Sequence, residues 1–177
     1  TIERHIADAL QAEADKRVAQ QGYLTSEPYE VEKQAGWKPK VFLLADAGFA
    51  PYSTTIATQT ALVEKNPDLV QRFVDASIEG WYNYLYGDNK AANELIKKDN
   101  PDMTDEQLAF SLEKLKEYGI VDNHDTAKAG IGAMDEGRIK SFYDTMVKAK
   151  VLPEGIDIKK AYTLDFVNKG VGLDLKK

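Results

Sequence analysis

The sequence predicts an α/β chain whose short strands lie in the first third and whose helices occupy nearly all of the rest. Two observations lead to this fold class. Short runs of β-branched or wholly apolar residues occur early in the chain, whereas apolar residues recur at helical spacing through the later two thirds. Hydrophobic residues make up 43% of the 177 residues, which is enough to build a packed core.

A helix, a strand and a second helix are predicted first. Residues 2–19 place apolar side chains at helical spacing and predict the first helix. Tyr23–Thr25 predicts a short strand. Pro28 suits the first turn of a helix, so a second helix is expected to run through Gln34 and to end at Gly36.

Two further strands are predicted on either side of a loop. Val41–Leu44 is a continuous apolar run, which is typical of a strand buried on both faces. Asp46–Ser53 contains turn-forming glycine and proline and predicts the loop, and Thr54–Ala57 predicts the next strand. Because three short strands make a poor sheet, we expect neighbouring strands from sequence outside this chain or from a second copy.

The later helices are marked by residues that favour helix N-termini. These capping residues are Asn66, Asp88, Thr104, Asp135 and Asp157. A shorter helix is predicted at about residues 60–65, and residues 119–134 are predicted to be irregular. The tail from Lys169 onward is expected to be frayed, as chain ends often are.

Composition excludes several classes of function. The net charge is −6 and no run of lysine or arginine could form a basic patch, so no nucleic-acid partner is expected. The absence of cysteine excludes disulfides and thiolate metal sites. No stretch approaches ~18 consecutive apolar residues, and no signal peptide opens the chain, so an exported parent protein would carry its signal outside this sequence.

Motifs for catalysis are scarce. The two histidines, His5 and His124, lack ligands at metal-site spacing and are interpreted as surface residues. Gly130-Ile131-Gly132 lacks the third glycine and the preceding strand of a phosphate-binding loop. The sequence therefore predicts no catalytic residues, no metal and no cofactor.

Two segments combine polar and aromatic residues where predicted strands end. They are Ser26–Tyr29 and the segment from Asp46 to Thr54. Ligands bind at the carboxyl ends of strands in α/β sheets, and an aromatic wall with a few hydrogen-bonding groups suits a small molecule. The structural alternative is that Glu27 is an acid at a helix N-terminus and Tyr52 a core tyrosine.

The order of several short motifs resembles a known family. The motifs are Gln21–Tyr29, Val41–Gly48, Tyr52–Thr54, Asn66–Val74, Gly80-Trp81 and Ala161–Thr163. Over about residues 15–168 the chain is similar to the C-terminal part of ABC-transporter periplasmic substrate-binding proteins of the thiamine-pyrimidine, nitrate, sulfonate and taurine type.

The resemblance implies a part of a two-lobed α/β fold, the type II periplasmic-binding-protein fold, with a ligand cleft between lobes that two crossover strands join. Residues 1–45 would then form the end of lobe two, with a helix, a strand, a helix and a crossover strand. Residues 46–177 would return to lobe one and add its C-terminal helices. The N-terminal half that builds most of lobe one in the family has no counterpart in this sequence.

The resemblance also implies which residues contact the ligand. The positions that match the cleft-facing stretches are Glu27, Tyr29, Asp46, Tyr52 and Ser53. A carboxylate and tyrosine rings would suit a pyrimidine-like or other nitrogen heterocycle, neutral or cationic. An anion would need arginine, and no arginine is near these segments in the sequence.

By resemblance, the expected function is the solute-binding component of an ABC importer and not an enzyme. The expected partners are a small-molecule ligand and a membrane permease, with a full-length protein that is monomeric and periplasmic, or extracellular and lipid-anchored. The alternative is an enzyme on the same fold, similar to pyrimidine-precursor synthases that use lysine-linked pyridoxal phosphate and iron. The absence of a cysteine-rich motif argues against that enzyme. A helical interaction domain is a third possibility, against which the predicted strands argue.

Overall fold

The computed structural model describes residues 19–176, so nearly all of the helix predicted for residues 2–19 lies outside the described residues. Seven α-helices are described: α1 Glu27–Ala35, α2 Thr60–Lys65, α3 Pro67–Tyr86, α4 Lys90–Asp99, α5 Asp105–Glu117, α6 Thr126–Ala129 and α7 Glu136–Lys148. Short 3-10 turns occur at Leu44–Ala47, Ile158–Lys160 and Leu173–Leu175.

The predicted strands are wrong for residues 19–176, where no strand is present. Tyr23–Thr25 runs into a turn that the Ser26 N–H closes on the Tyr23 carbonyl at 3.0 Å. Val41–Leu44 leads into a 3-10 turn, and Thr54–Ala57 is irregular. A strand needs a neighbour to satisfy its N–H and C=O groups, and the described residues supply none. The α/β prediction is therefore confirmed for its helices alone.

The predicted helix starts are confirmed where a capping side chain is well placed. The Thr104 side chain accepts the Gln107 N–H at 3.2 Å, and the Asp135 side chain accepts the Arg138 N–H at 2.8 Å. Asn66 precedes α3 without making such a bond, so Pro67 and the buried face determine that helix start. The short helix α6 lies in the stretch that was predicted to be irregular.

Two compact units are present. Unit 1 combines the described part of Thr1–Phe42 with Asn89–Ile120, and unit 2 combines Leu43–Asp88 with the described part of Val121–Lys177.

Unit 1 is organised by α5. Leu108 is buried, and the Ser111 hydroxyl donates to the Thr25 carbonyl at 2.6 Å. Lys97, near the end of α4, pairs with Asp105 at 2.8 Å in the first turn of α5. The Ser111 hydrogen bond holds the segment that leads into α1 against α5, and the Lys97–Asp105 pair links α4 to α5.

Unit 2 is organised by the apolar face of α3. Its buried residues recur at three- or four-residue spacing: Val70, Val74, Ile78, Tyr82 and Leu85. Tyr82 is completely buried, and its hydroxyl accepts the Ile131 N–H at 3.2 Å. A Cβ on Gly172 would lie 2.6 Å from a Tyr82 ring carbon, so glycine is needed for the chain to cross this ring.

Residues 170–176 pack against the rest of unit 2, so the prediction of a frayed tail from Lys169 is wrong for these residues. The Gly170 N–H donates to the Ala129 carbonyl at 3.0 Å. The Lys176 ammonium lies 2.7 Å from the Asp122 carboxylate, whose side chain is 2% exposed. The tail packs on the unit because it covers Tyr82 and gives the buried Asp122 carboxylate its counter-charge. Local sequence reveals neither contact.

Candidate functional site

Glu27 closes the turn before α1. Its Oε2 accepts the Tyr23 N–H at 2.7 Å and also accepts the Ser26 hydroxyl. A Cβ on Gly22 would lie 3.0 Å from the Glu27 Cβ, so the backbone approaches this side chain closely. The carboxylate therefore has the structural role that the alternative interpretation gave it. Among residues 19–176, its second oxygen Oε1 accepts no hydrogen bond.

Tyr29 lies two residues further along α1 and packs on α5. Its ring centroid is 5.3 Å from that of Phe110, with the two planes at 40°. The Lys33 ammonium donates to the Tyr29 hydroxyl at 3.3 Å and lies 5.3 Å from the ring centroid. This hydrogen bond raises the pKa of Lys33 above its usual value. Tyr29 is thus an aromatic packing residue that also carries a cation beside its ring.

Asp46 and Ser53 are exposed. Asp46 lies in the 3-10 turn Leu44–Ala47, which ends at Gly48 with φ of 87°. The Ser53 hydroxyl lies 3.5 Å from that of Thr54, a residue with φ of 57°. Both side chains are therefore accessible to solvent.

Tyr52 is fixed by the start of α7. Its hydroxyl accepts the Asp135 N–H at 2.8 Å, and the Arg138 guanidinium lies 4.3 Å from its ring centroid. Arg138 also donates to the carbonyls of Ala50 and Pro51, at 2.9 and 3.3 Å. One arginine therefore holds the backbone and the aromatic ring of the loop together.

The position of Arg138 corrects the expectation that no arginine lies near the candidate segments. Arg138 and Tyr52 are distant in sequence, and the capped start of α7 brings them together. The Asp125 carboxylate lies 3.9 Å from the guanidinium and offsets part of its charge. Nothing in the local sequence around Tyr52 identifies its partner, because the contact is made by a separate element.

A cavity of about 130 Å³ lies between this loop and α7. Its lining residues are Gly48, Phe49, Ala50, Arg138, Ser141, Phe142 and Thr145. Phe49 and Phe142 meet edge to face, with ring centroids 5.6 Å apart and planes at 67°. We call this space the Phe49–Phe142 cavity. Sequence reasoning identified the loop but missed the α7 residues that complete it.

A second cavity, of about 210 Å³, lies beside the start of α7. It is lined by Glu136, Lys159, Tyr162, Thr163, Leu164 and Asp165. The lining mixes acids, a base and one tyrosine, so it is more polar than the Phe49–Phe142 cavity.

The candidate residues fall into two groups. Glu27 and Tyr29 belong to unit 1, whereas Asp46, Tyr52 and Ser53 belong to unit 2.

Across residues 19–176 no three histidine or acidic side chains form a cluster that could hold a metal ion. In that same part of the chain, no helix has the length and apolar character needed to cross a bilayer.

Comparison with known proteins places the chain in a family. The sequence profile of the NMT1/THI5-like family matches residues 4–92. The chain belongs to this family. It is a family of ABC-transporter periplasmic substrate-binding proteins, which confirms the resemblance that the motifs predicted. The helix-rich structure is consistent with a part of a periplasmic-binding-protein-like domain.

One relative is the riboflavin-binding protein RibY of Chloroflexus aurantiacus. It is 31% identical over 150 residues, which are 84% of this chain and 42% of the relative. The chain therefore spans less than half the length of that relative. No solved structure matches the chain. All five candidate residues lie within the family match, whereas Arg138 lies beyond it.

Proposed function

We propose that this chain is part of the solute-binding component of an ABC importer, and that its ligand is a planar nitrogen heterocycle. The observation that carries the proposal is membership of the NMT1/THI5-like family together with 31% identity to a riboflavin-binding protein. The mechanism is closure of a cleft on the ligand, followed by docking of the closed form to a permease. No covalent bond is made or broken.

The proposed division of the chain follows the family resemblance. Residues 1–45 would end lobe two, and residues 46–177 would return to lobe one. The chain passes from unit 1 to unit 2 between Phe42 and Leu43, which supports a boundary near residue 45, although residues 89–120 also belong to unit 1. Beside this boundary Phe42 is 76% exposed and Ile56 is 55% exposed. Neighbouring strands from a longer protein would cover these side chains and pair with the backbone beside them.

The proposed ligand contacts are the five predicted residues, Glu27, Tyr29, Asp46, Tyr52 and Ser53. Their chemistry supports the choice, since Glu27 retains an oxygen without a partner among residues 19–176 and Asp46 and Ser53 are exposed. Riboflavin contains a pyrimidine ring within its fused ring system. A riboflavin-like ligand and a pyrimidine-like ligand therefore fall into one chemical class, planar heterocycles with several hydrogen-bonding edges.

The proposed location is the periplasm, or the outer face of the membrane with a lipid anchor. Family membership supports it, because the family consists of periplasmic substrate-binding proteins. The proposed partners are the small-molecule ligand and the permease, and the full-length protein is proposed to be a monomer.

The test is a thermal-shift screen of this chain against riboflavin, uracil, thiamine, taurine and nitrate. A ligand at ~100 times its Kd stabilises the folded state by about 2.7 kcal/mol, which raises the Tm by roughly 5–10 °C for a domain of this size. We expect a shift with a heterocycle that Glu27→Gln reduces. Glu27→Gln keeps an acceptor for the turn, so the loss would report the ligand contact. A shift with taurine or nitrate alone would contradict the proposed ligand class.

The alternative function is an enzyme similar to pyrimidine-precursor synthases, a possibility that the THI5 part of the family name keeps open. Such an enzyme would form a covalent link between a lysine and pyridoxal phosphate. Incubation with pyridoxal phosphate, reduction with borohydride and mass spectrometry distinguish the two. A single stoichiometrically labelled lysine would favour the enzyme and contradict the binding protein.

A further inference from the structure

The Phe49–Phe142 cavity has the composition of a small-molecule site. Two phenylalanine rings form an apolar wall, and Arg138, Ser141 and Thr145 supply the polar part of the lining. Small-molecule sites characteristically combine an apolar lining with a few hydrogen-bonding groups that orient the ligand. All seven lining residues belong to unit 2, so the cavity is formed within one compact unit.

The size of the cavity limits what it can hold. Its volume is about 130 Å³. An apolar cavity of about 150 Å³ accommodates one benzene molecule, whereas pockets for whole ligands have volumes of ~300 Å³ or more. The Phe49–Phe142 cavity therefore matches one six-membered ring and is too small for a complete fused-ring ligand.

Arg138 determines the charge that this ring can carry. Its guanidinium is held in place by the Tyr52 ring and by two backbone carbonyls, so it does not need to be ordered when a ligand arrives. Among residues 19–176, its remaining N–H groups have no oxygen within hydrogen-bond distance, since the Asp125 carboxylate is 3.9 Å away. A fixed cation with spare donors attracts carbonyl oxygens and repels a cationic ring. Because the Asp125 carboxylate offsets part of the charge, a neutral ring is favoured over an anionic one.

Building on the proposed function, we propose that the Phe49–Phe142 cavity is a ligand subsite for one ring of a neutral, planar, carbonyl-bearing heterocycle. The ring lies against Phe49 and Phe142, and a ring carbonyl accepts a hydrogen bond from Arg138. The pyrimidinedione ring of riboflavin and the free base uracil both have this chemistry, whereas thiamine has no ring carbonyl and carries a positive charge on its thiazolium ring.

The experiment fills the cavity without touching the contacts that hold the loop. Thr145→Trp places an indole in the cavity from α7, and Lys140→Trp adds the same side chain to the same helix outside the lining. Lys140 pairs with Asp144 on the surface, and exposed pairs of this kind contribute little to stability. Binding of riboflavin, uracil and thiamine to the full 177-residue chain is measured by titration calorimetry, with the Tm of each variant recorded.

We expect Thr145→Trp to weaken the binding of riboflavin and uracil at least tenfold, with Lys140→Trp within twofold of the unaltered chain. If Thr145→Trp fails to fold, Ser141→Phe takes its place, because Ser141 lines the same cavity from the preceding turn of α7. Unchanged binding in a folded cavity variant would overturn the subsite and leave the proposed function intact. Tighter binding of thiamine than of riboflavin would overturn the ring chemistry, and no binding of any probe to the unaltered chain would contradict both proposals.

Discussion

Helix α3 and the segment 41–57 are both rich in apolar residues, and the structure treats them in opposite ways. In α3 one face of five residues is buried, with Tyr82 completely enclosed, whereas Leu69, Phe73 and Trp81 of the same helix are at least 40% exposed. In the segment, Val41, Phe42 and Ile56 are 44%, 76% and 55% exposed. A helix satisfies its own backbone and needs one packed face, whereas a strand needs a neighbour for its backbone as well. An apolar pattern with helical spacing can therefore fold with nearby sequence alone, whereas an apolar strand pattern also needs a partner strand.

The largest effect expected from this comparison is the loss of Tyr82. Tyr82→Ala removes a fully buried ring and should lower the free energy of unfolding by about 3–5 kcal/mol, the usual cost of truncating a large core aromatic residue. Phe42→Ala is the matched control and should cost less than about 0.5 kcal/mol, because its ring is 76% exposed. Urea denaturation followed by circular dichroism measures both. Equal losses would show that the segment 41–57 is packed and would break the comparison.

The next largest effect is expected at the buried carboxylate that retains the tail. Asp122 accepts hydrogen bonds from Tyr86 and Thr126, both at 2.5 Å, and pairs with Lys176. Asp122→Ala removes the acceptor of both hydrogen bonds and the counter-charge of Lys176, and should cost about 1–3 kcal/mol. Lys176→Met should cost less, because the lysine side chain is 43% exposed and solvent screens the pair. Hydrogen exchange of the amides at residues 169–176 should rise in both variants, and unchanged protection would refute the anchoring role of Asp122.

The same carboxylate predicts how stability depends on pH. Burial by itself raises the pKa of Asp122, but hydrogen bonds from Lys176, Thr126 and Tyr86 outweigh it and hold the pKa below its usual value. Its stabilising contribution is therefore complete above the unfolded-state pKa of about 3.9 and is lost as the pH falls through the lower folded-state value. Thermal melts between pH 2 and pH 6 should show a smaller acid-side fall in Tm for Asp122→Asn than for the unaltered chain. An identical pH dependence in the two proteins would rule out this linkage.

The smallest expected effect concerns the helix caps. Thr104→Ala removes a side-chain bond to the N-terminus of α5 and should cost about 1 kcal/mol. Asn66→Ala is the matched control, because Asn66 makes no side-chain cap bond to α3. Its loss should therefore lower stability by less than about 0.5 kcal/mol. Thermal melts measure both variants. A larger loss of stability for Asn66→Ala than for Thr104→Ala would contradict the assignment of the side-chain cap to Thr104 and not to Asn66.

The helices could largely be predicted from the sequence because their determinants are local. Spacing of apolar residues, Pro67 before α3, and capping residues such as Thr104 and Asp135 identify where helices begin. The family could also be predicted, since the motifs that indicated it lie mostly within the matched residues 4–92. Glu27 and Tyr52 could be identified as candidates from their local sequence. Their alternative roles, an acid at a helix N-terminus and a packed tyrosine, could be identified in the same way.

The tertiary structure alone decided three things. It left the β-prone segment 41–57 unpaired, since pairing depends on strands that are distant or absent in sequence. It anchored the tail through the ion pair between Lys176 and Asp122, which are far apart along the chain. It placed Arg138 on Tyr52 and closed a cavity between Phe49 and Phe142. Each of these is a contact between remote residues, and local patterns carry no information about which remote partner a side chain will meet.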